Sequence, residues 1–305
     1  MHLYAFGSNG AGQLAIGHME DVNRPTRCLF VGDEHASAVA QPSASGDGDS
    51  QRPMRLVAGG NHTLIRLPSG IVYAAGSNVH GECGTCTTNQ NLLRFQRVVI
   101  TEPIAGTHDN AISSTFSYIS ATWSASFFVN ADGKSIYVVG HGSKGELGLG
   151  PDVTETKVPA RMPNFPPDDT HVVSIASGMG HTVVLLDDGT VYGWGGARKG
   201  QLGADKVGEK VVWSPQRMMV GGDSMHDQVR GISCGREFTV ITTSSSSSPS
   251  DASAKALCIL GPDKWTISSA APPIVAGHTS LATSWHGVYV HLRNGKVLAW
   301  GRNDR

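Results

Sequence analysis

Residues Leu3 to Gly17 read LYAFGSNGAGQLAIG, and the phrase returns as VYAAGSNVHGECG (72–84), IYVVGHGSKGELGLG (136–150) and VYGWGGARKGQLG (191–203). Each copy is a short apolar run ending on a glycine, followed within a few residues by a Gly-Gln-Leu-Gly element or a close variant. Ahead of three of these runs stands a second one, reached through a small-residue turn and separated by Ser69-Gly70, Asp132-Gly133 or Asp188-Gly189. Asp-Gly between two apolar runs signals a tight hairpin, and a type I′ turn, with positive φ at both central residues, is expected there. Weaker copies run from Cys234 to Gly261, with Ser244 to Ser253 in place of the tight turn, and from Thr283 through Asn294-Gly295 to Gly301.

The strand-ending glycines Gly7, Gly76, Gly140, Gly195, Gly261 and Gly301 are spaced by 69, 64, 55, 66 and 40 residues. Repeated hairpins at that period, with almost no helical periodicity, suit the blades of a β-propeller, whose sheets pack face to face and leave few open edges. The Gly-Gln-Leu-Gly elements are then loops folded closely against the neighbouring blade, where glycine tolerates positive φ and close backbone approach.

Composition agrees. The 305 residues are 39% hydrophobic and 16% charged, enough for a large core, and the net charge of −1 gives little reason for non-specific binding to nucleic acid or an anionic membrane. No apolar run approaches the length of a membrane span. The five cysteines, Cys28, Cys83, Cys86, Cys234 and Cys258, are odd in number and scattered, which points to a reducing compartment rather than a disulfide framework.

The repeats at 72–84 and 191–203, with the Gly-x-x-His-Thr turns at His62-Thr63 and His181-Thr182, resemble the regulator of chromosome condensation family. That resemblance implies an all-β propeller of seven blades. About six are represented, the chain reading as a single domain over 1–305 with a flexible Ser-rich insertion at 244–253 that protease should cut first. The sequence stops at Arg305, where a further loop and hairpin are expected, so a C-terminal blade is expected to be missing.

Three stretches, YAFGSNGAGQLAIGHMEDVNRPTRC (4–28), ATWSASFFVNADGKSIYVVG (121–140) and TSWHGVYVHLRNGKVLAWGRN (283–303), are similar to the fungal alpha-tubulin suppressor branch of that family. This resemblance implies a non-enzymatic scaffold, cytoplasmic and nuclear. It implies a heterodimer with a small CSL-type zinc protein of diphthamide synthesis, supporting diphthamide formation and, indirectly through Elongator, wobble-uridine modification of tRNA. The family's exchange activity on a Ran-like small GTPase is the alternative; an enzyme at the propeller mouth is a third class, but no residue asks for it. Neither membrane association nor direct DNA binding is expected.

Candidate chemistry is sparse. Gly140-His141-Gly142-Ser143-Lys144-Gly145 is formally GxGxxG, but GELGLGPD follows where a phosphate-binding helix would have to begin. Cys83-x-x-Cys86 is half of a zinc site without a second half. His62 and His181 share a repeat column and read as structural hydrogen-bonding groups. No catalytic, cofactor or metal residue is assigned.

The partner-binding candidates come from the turn before each first hairpin strand. One column holds Gly60, Trp123, Met179, Arg236 and Trp285, and the next holds Asn61, Ser124, Gly180, Glu237 and His286. A purely structural column should stay small. Trp123, Met179, Arg236, Glu237, Trp285 and His286 are instead large and varied, and Trp and Arg are residues in which binding energy concentrates.

Overall fold

The computed structural model describes residues 3–32, 54–85, 87–103, 110–220, 228–244, 257–272 and 278–302. The Ser-rich segment beyond Ser244 and Cys86 lie outside these. The chain forms two compact units, one of residues 1–141 and 155–163, the other of 142–154 and 164–305.

The first unit holds two four-stranded antiparallel blades. Blade 1 runs Arg55–Ala58, His62–Arg66, Val72–Ser77, Asn91–Arg97, and blade 2 runs Phe116–Ala121, Ala125–Asn130, Ile136–His141, Glu155–Arg161. Their inner strands are buried along nearly their whole length, with no period of two, because each blade is covered on both faces. Leu64, Phe116 and Phe128 are fully buried in a shared core, with the two Phe rings 5.5 Å apart; each such side chain contributes about 1.5–3 kcal/mol.

The second unit holds blade 3 (Val172–Ser177, His181–Leu186, Val191–Gly196, Val211–Arg217), blade 4 (Gln228–Cys234, Thr239–Ser244, Leu257–Leu260) and blade 5 (His278–Thr283, Gly287–Leu292, Val297–Gly301). Phe238, Val240, Ile267, Val288 and Val290 form a core beneath the last two.

The count of about six corrects to five blades among the described residues. Tyr4–Gly7 pairs only with Val22–Arg27, in a two-stranded sheet matching the third and fourth strands of a blade. A second two-stranded sheet, Ile100–Pro103 with Asn110–Ser113, had no counterpart in the repeat.

The hairpin turns differ from the expected type I′. Only the glycine takes positive φ: Gly70 at 83°, Gly133 at 76°, Gly189 at 84° and Gly295 at 80°. Gly189 N–H donates to Leu186 O at 3.0 Å, and Gly295 repeats this with Leu292. A type I turn closed by a left-handed glycine adds one residue and the matching bulge. The Asp or Asn before the glycine earns its place through its side chain: Asp132, Asp188 and Asn294 each accept the N–H two residues ahead, at 2.7, 2.8 and 3.1 Å.

The strand-ending glycines are bulges. In blades 1 to 3 the register between third and fourth strands slips at Gly76, Gly140 and Gly195. The residue after each donates to the turn carbonyl opposite, as in His141 N–H to Ser124 O and Gly196 N–H to Gly180 O, at 2.8 and 2.7 Å. A Cβ on any of these three glycines would strike that same carbonyl, so these positions admit nothing larger.

Candidate functional site

The Gly-Gln-Leu-Gly loops lock one repeat to the next. Each Gln or Glu side chain accepts the backbone N–H two residues before it: Ala11 to Gln13 at 2.9 Å, His80 to Glu82 at 2.8 Å, Lys199 to Gln201 at 3.0 Å. Its own carbonyl then accepts from the following blade, Ser126 Oγ to Glu82 O at 2.6 Å and Thr239 Oγ1 to Gln201 O at 2.8 Å. The loop glycine faces the next outer strand, where a Cβ on Gly81 would lie 2.5 Å from Lys157 O and one on Gly145 2.7 Å from Val212 O.

The same relay gives His62 and His181 their structural role. His62 Nε2 lies 2.9 Å from Ser126 Oγ, and His181 Nε2 lies 3.0 Å from Thr239 Oγ1. Each hydroxyl spends its one proton on the loop carbonyl, so the imidazole must donate from Nε2. Burial lowers both pKa values to about 4, the neighbouring Glu82 carboxylate opposing this at His62 and the Phe238 backbone and Glu237 at His181.

The Cys83-x-x-Cys86 half-site gains no further ligands among the described residues. Cys83 is buried, its Sγ 3.2 Å from Ser77 O, and its thiol is pushed upward by burial and then by Glu82. Cys234 is pushed up to about 12 by burial. Among the described residues no three His, Cys, Asp or Glu side chains are grouped to hold a metal, and no helix is long and apolar enough to cross a membrane. No helix follows Gly145 either; Gly148 N–H closes a turn on Gly145 O at 3.0 Å.

The turn column divides between the units. In the first, Gly60 N–H donates to Trp123 O at 2.8 Å, and a Cβ on Gly60 would lie 2.8 Å from the indole. Gly60 is therefore small because Trp123 lies over it, and Trp123 remains 45% exposed.

In the second unit the backbone runs from blade to blade through the column: Met179 N–H donates to Arg236 O at 3.1 Å and Arg236 N–H to Trp285 O at 3.0 Å. Met179, Arg236 and Trp285 are thereby consecutive neighbours. The Arg236 guanidinium lies over the Trp285 ring at 5.5 Å, and Trp285 is 44% exposed. Arg236 Nε is buried without a hydrogen-bond acceptor among the described residues. Glu237 accepts from Lys199 Nζ at 2.7 Å. Burial raises the Glu237 pKa, but this bond and the charges of Lys199, Arg236 and Lys264 outweigh it and hold the group ionised.

His286 joins this group to one that sequence reasoning did not find. The blade 4 loop reads GPDKWTISS where Gly-Gln-Leu-Gly would stand, yet it does the same work. Asp263 Oδ1 accepts from Ser268 N–H at 2.8 Å, as Asn9 and Asn78 Oδ1 accept from Leu14 and Cys83 five residues on, and Ile267 O accepts Trp300 Nε1–H at 2.7 Å just as Glu146 O accepts that of Trp194 at 3.0 Å. What changes is the exposed rim. Trp265 stands at φ 68° and Thr266 at φ 56°, strained values for non-glycine residues. The indole carries Arg302 at 4.5 Å and Lys264 at 5.0 Å, and meets the His286 ring edge-on at 5.7 Å. Burial, then Arg236, Arg302 and Lys264, lower the His286 pKa against the pull of Glu237, so the ring is neutral near pH 7. The signal in the sequence was the Lys264-Trp265 pair in a loop that lacks the Gly-Gln-Leu-Gly residues.

With this geometry in view, the sequence pattern of the regulator of chromosome condensation (RCC1) repeat matches residues 134–185 and 188–242, and a second form of it matches 172–201. Residues 134–185 and 188–242 of this chain are RCC1 repeats. An RCC1 repeat-containing protein of Schizosaccharomyces pombe is 24% identical over 99% of this chain and 77% of its own length. The Arabidopsis thaliana ultraviolet-B receptor UVR8 is 28% identical over 68% of this chain, and the Xenopus laevis regulator of chromosome condensation 29% over 61%; this chain spans 40% of each. Among solved structures, Prp20p of Saccharomyces cerevisiae superposes with a TM-score of 0.70 at 18% identity, over 99% of this chain and 66% of Prp20p. The fold is the all-β propeller of the RCC1 type.

Proposed function

We propose that this RCC1-repeat protein is a non-enzymatic interaction scaffold whose partner docks on the Arg236–Trp285 surface. The observation that carries the reading is an exposed indole covered by a guanidinium whose Nε is buried and has no acceptor among the described residues. An incoming acceptor would satisfy that donor on binding.

The finer reading rests on the resemblance of residues 4–28, 121–140 and 283–303 to the fungal alpha-tubulin suppressor branch. On that reading the partner is a small CSL-type zinc protein, the pair forms a heterodimer in cytoplasm and nucleus, and it supports diphthamide synthesis and, through Elongator, tRNA wobble-uridine modification. Titration calorimetry against the metal-loaded zinc protein tests it. One-to-one binding, weakened by more than about 1 kcal/mol in Trp285→Ala, is the expected result; no heat of binding sinks the assignment.

A second reading is favoured by the likeness to Prp20p, described for its binding to Gsp1p and histones, and to the Xenopus regulator. Nucleotide release from a Ran-like GTPase discriminates the two. Acceleration by catalytic amounts of this chain would replace the scaffold reading with that of an exchange factor.

A further inference from the structure

We infer that this chain associates head to tail with a second copy of itself, the outward face of blade 5 in one copy packing on the outward face of the Tyr4–Gly7 and Val22–Arg27 sheet in the other.

Within each unit, neighbouring sheets meet in one way. Val72 and Ala74, four and two residues before the strand-ending Gly76, face blade 2 together with Leu64, which pairs with Ala74. Against them packs Tyr137, three residues before Gly140. The N-terminal sheet repeats the contact, Ala5 lying against the core that holds Tyr73 of blade 1. So does blade 4, whose Val240, in the place of Leu64, shares a core with Val290 and Trp300 of blade 5.

Two faces lack such a neighbour among the described residues. In blade 5 the equivalents of Val72, Leu64 and Ala74 are Val297, Tyr289 and Ala299. Val297 is 62% and Tyr289 43% exposed, whereas Val72 and Leu64 are fully buried. In the N-terminal sheet Tyr4 stands three residues before Gly7, as Tyr73 does before Gly76, yet it is 55% exposed and Phe6 beside it 63%.

Blade 5 accordingly alternates along its strands: Val288 and Val290 are buried, Tyr289 and His291 exposed, and Val297 and Ala299 are exposed on either side of half-buried Leu298. A sheet built for water on that side would turn polar residues outward. Here the exposed positions are Ala282, Tyr289, Val297 and Ala299, with Ser280 and His291, and no Lys, Arg, Asp or Glu stands among the described strand positions of this face. Arg27, opposite Tyr4, is charged on the other face; its stem can lie along an apolar neighbour with the guanidinium in water.

One chain thus exposes both halves of the contact it makes internally, one face that receives a tyrosine and one that offers it. A second copy supplies both complements with no new kind of packing, and a net charge of −1 opposes it little. The two faces differ, so the contact is heterologous, and its angle decides between a closed pair and a longer row.

Sedimentation velocity of the full chain at rising concentration tests this. Species heavier than the 32.1 kDa chain should appear. Phe6→Lys and Tyr289→Lys should each weaken association about tenfold or more, with the thermal midpoint held because both side chains are exposed. Ile112→Lys, which replaces an apolar residue 67% exposed on neither face, should leave association unchanged. Mixing the Phe6→Lys and Tyr289→Lys chains should restore a one-to-one pair and nothing larger, since each keeps the face that the other needs. A monomer at every concentration, an equal loss in Ile112→Lys, or a mixture that stays apart would overturn the inference. The zinc protein is absent from these samples, so the outcome is independent of the scaffold reading.

Discussion

Gly195→Ala is expected to destabilise the protein by at least about 3 kcal/mol, whereas Gly189→Ala, six residues earlier in the same hairpin, should cost about 1 kcal/mol. Both glycines have positive φ, 97° and 84°. A Cβ on Gly189 meets nothing within 4 Å, so only the left-handed backbone is penalised. At Gly195 the Cβ would lie 2.5 Å from Gly180 O and 2.9 Å from His181 Cα. Those atoms belong to the backbone and cannot swing away. Relieving the clash means breaking the Gly196 N–H bond to Gly180 O, 2.7 Å long, and with it the turn that presents His181. Urea unfolding of the two variants side by side checks this. Equal losses would mean that φ alone selects glycine in this column.

Acidification is the second large effect. The folded pKa of His62 and of His181 lies at about 4, below the unfolded value near 6.5. Between these values the unfolded chain binds the proton and the folded chain does not, so stability is full above pH 6.5 and is lost as pH falls toward 4. From pH 7 to pH 5 each histidine should remove on the order of 2 kcal/mol. His181→Gln keeps a donor for Thr239 and cannot titrate, so its stability should fall less steeply over the same interval, whatever its starting value at pH 7. An unchanged slope would show that the buried imidazole is already protonated in the folded state.

Much of this fold was legible because the repeat writes the same mechanical parts each time. The bulge glycine, the loop glutamine and the turn aspartate each answer one backbone requirement, and each recurs at a fixed place. The outer strands were not legible. Val22–Arg27, Glu155–Arg161 and Val211–Arg217 are mostly exposed or half-buried, and each contains a proline. Proline is tolerated there because an outer strand has a free edge, but it erases the strand signal. The turn type was misjudged because a two-residue Asp-Gly signal does not distinguish a type I′ turn from a type I turn closed by glycine.

The site was half visible. Trp285 and Arg236 stood out as bulky residues in a column that begins with glycine, and the structure makes them neighbours in one unit. Trp265, Lys264 and Arg302 were missed because they lie outside the repeat columns, the first two in a loop that lacks the Gly-Gln-Leu-Gly residues. Its carbonyl at Ile267 and its Asp263 cap do the work of those residues through other side chains. The position freed from the motif is the one that carries the second tryptophan.

The most direct test of the scaffold claim is to measure, for Trp285→Ala and the unaltered chain, both the thermal midpoint and the affinity for the metal-loaded CSL-type zinc protein. Trp285 is 44% exposed and its carbonyl, which receives Arg236 N–H, survives the substitution. The midpoint should therefore hardly move while the affinity falls about tenfold or more. A lowered midpoint with unchanged affinity would make the tryptophan a packing residue and contradict the account.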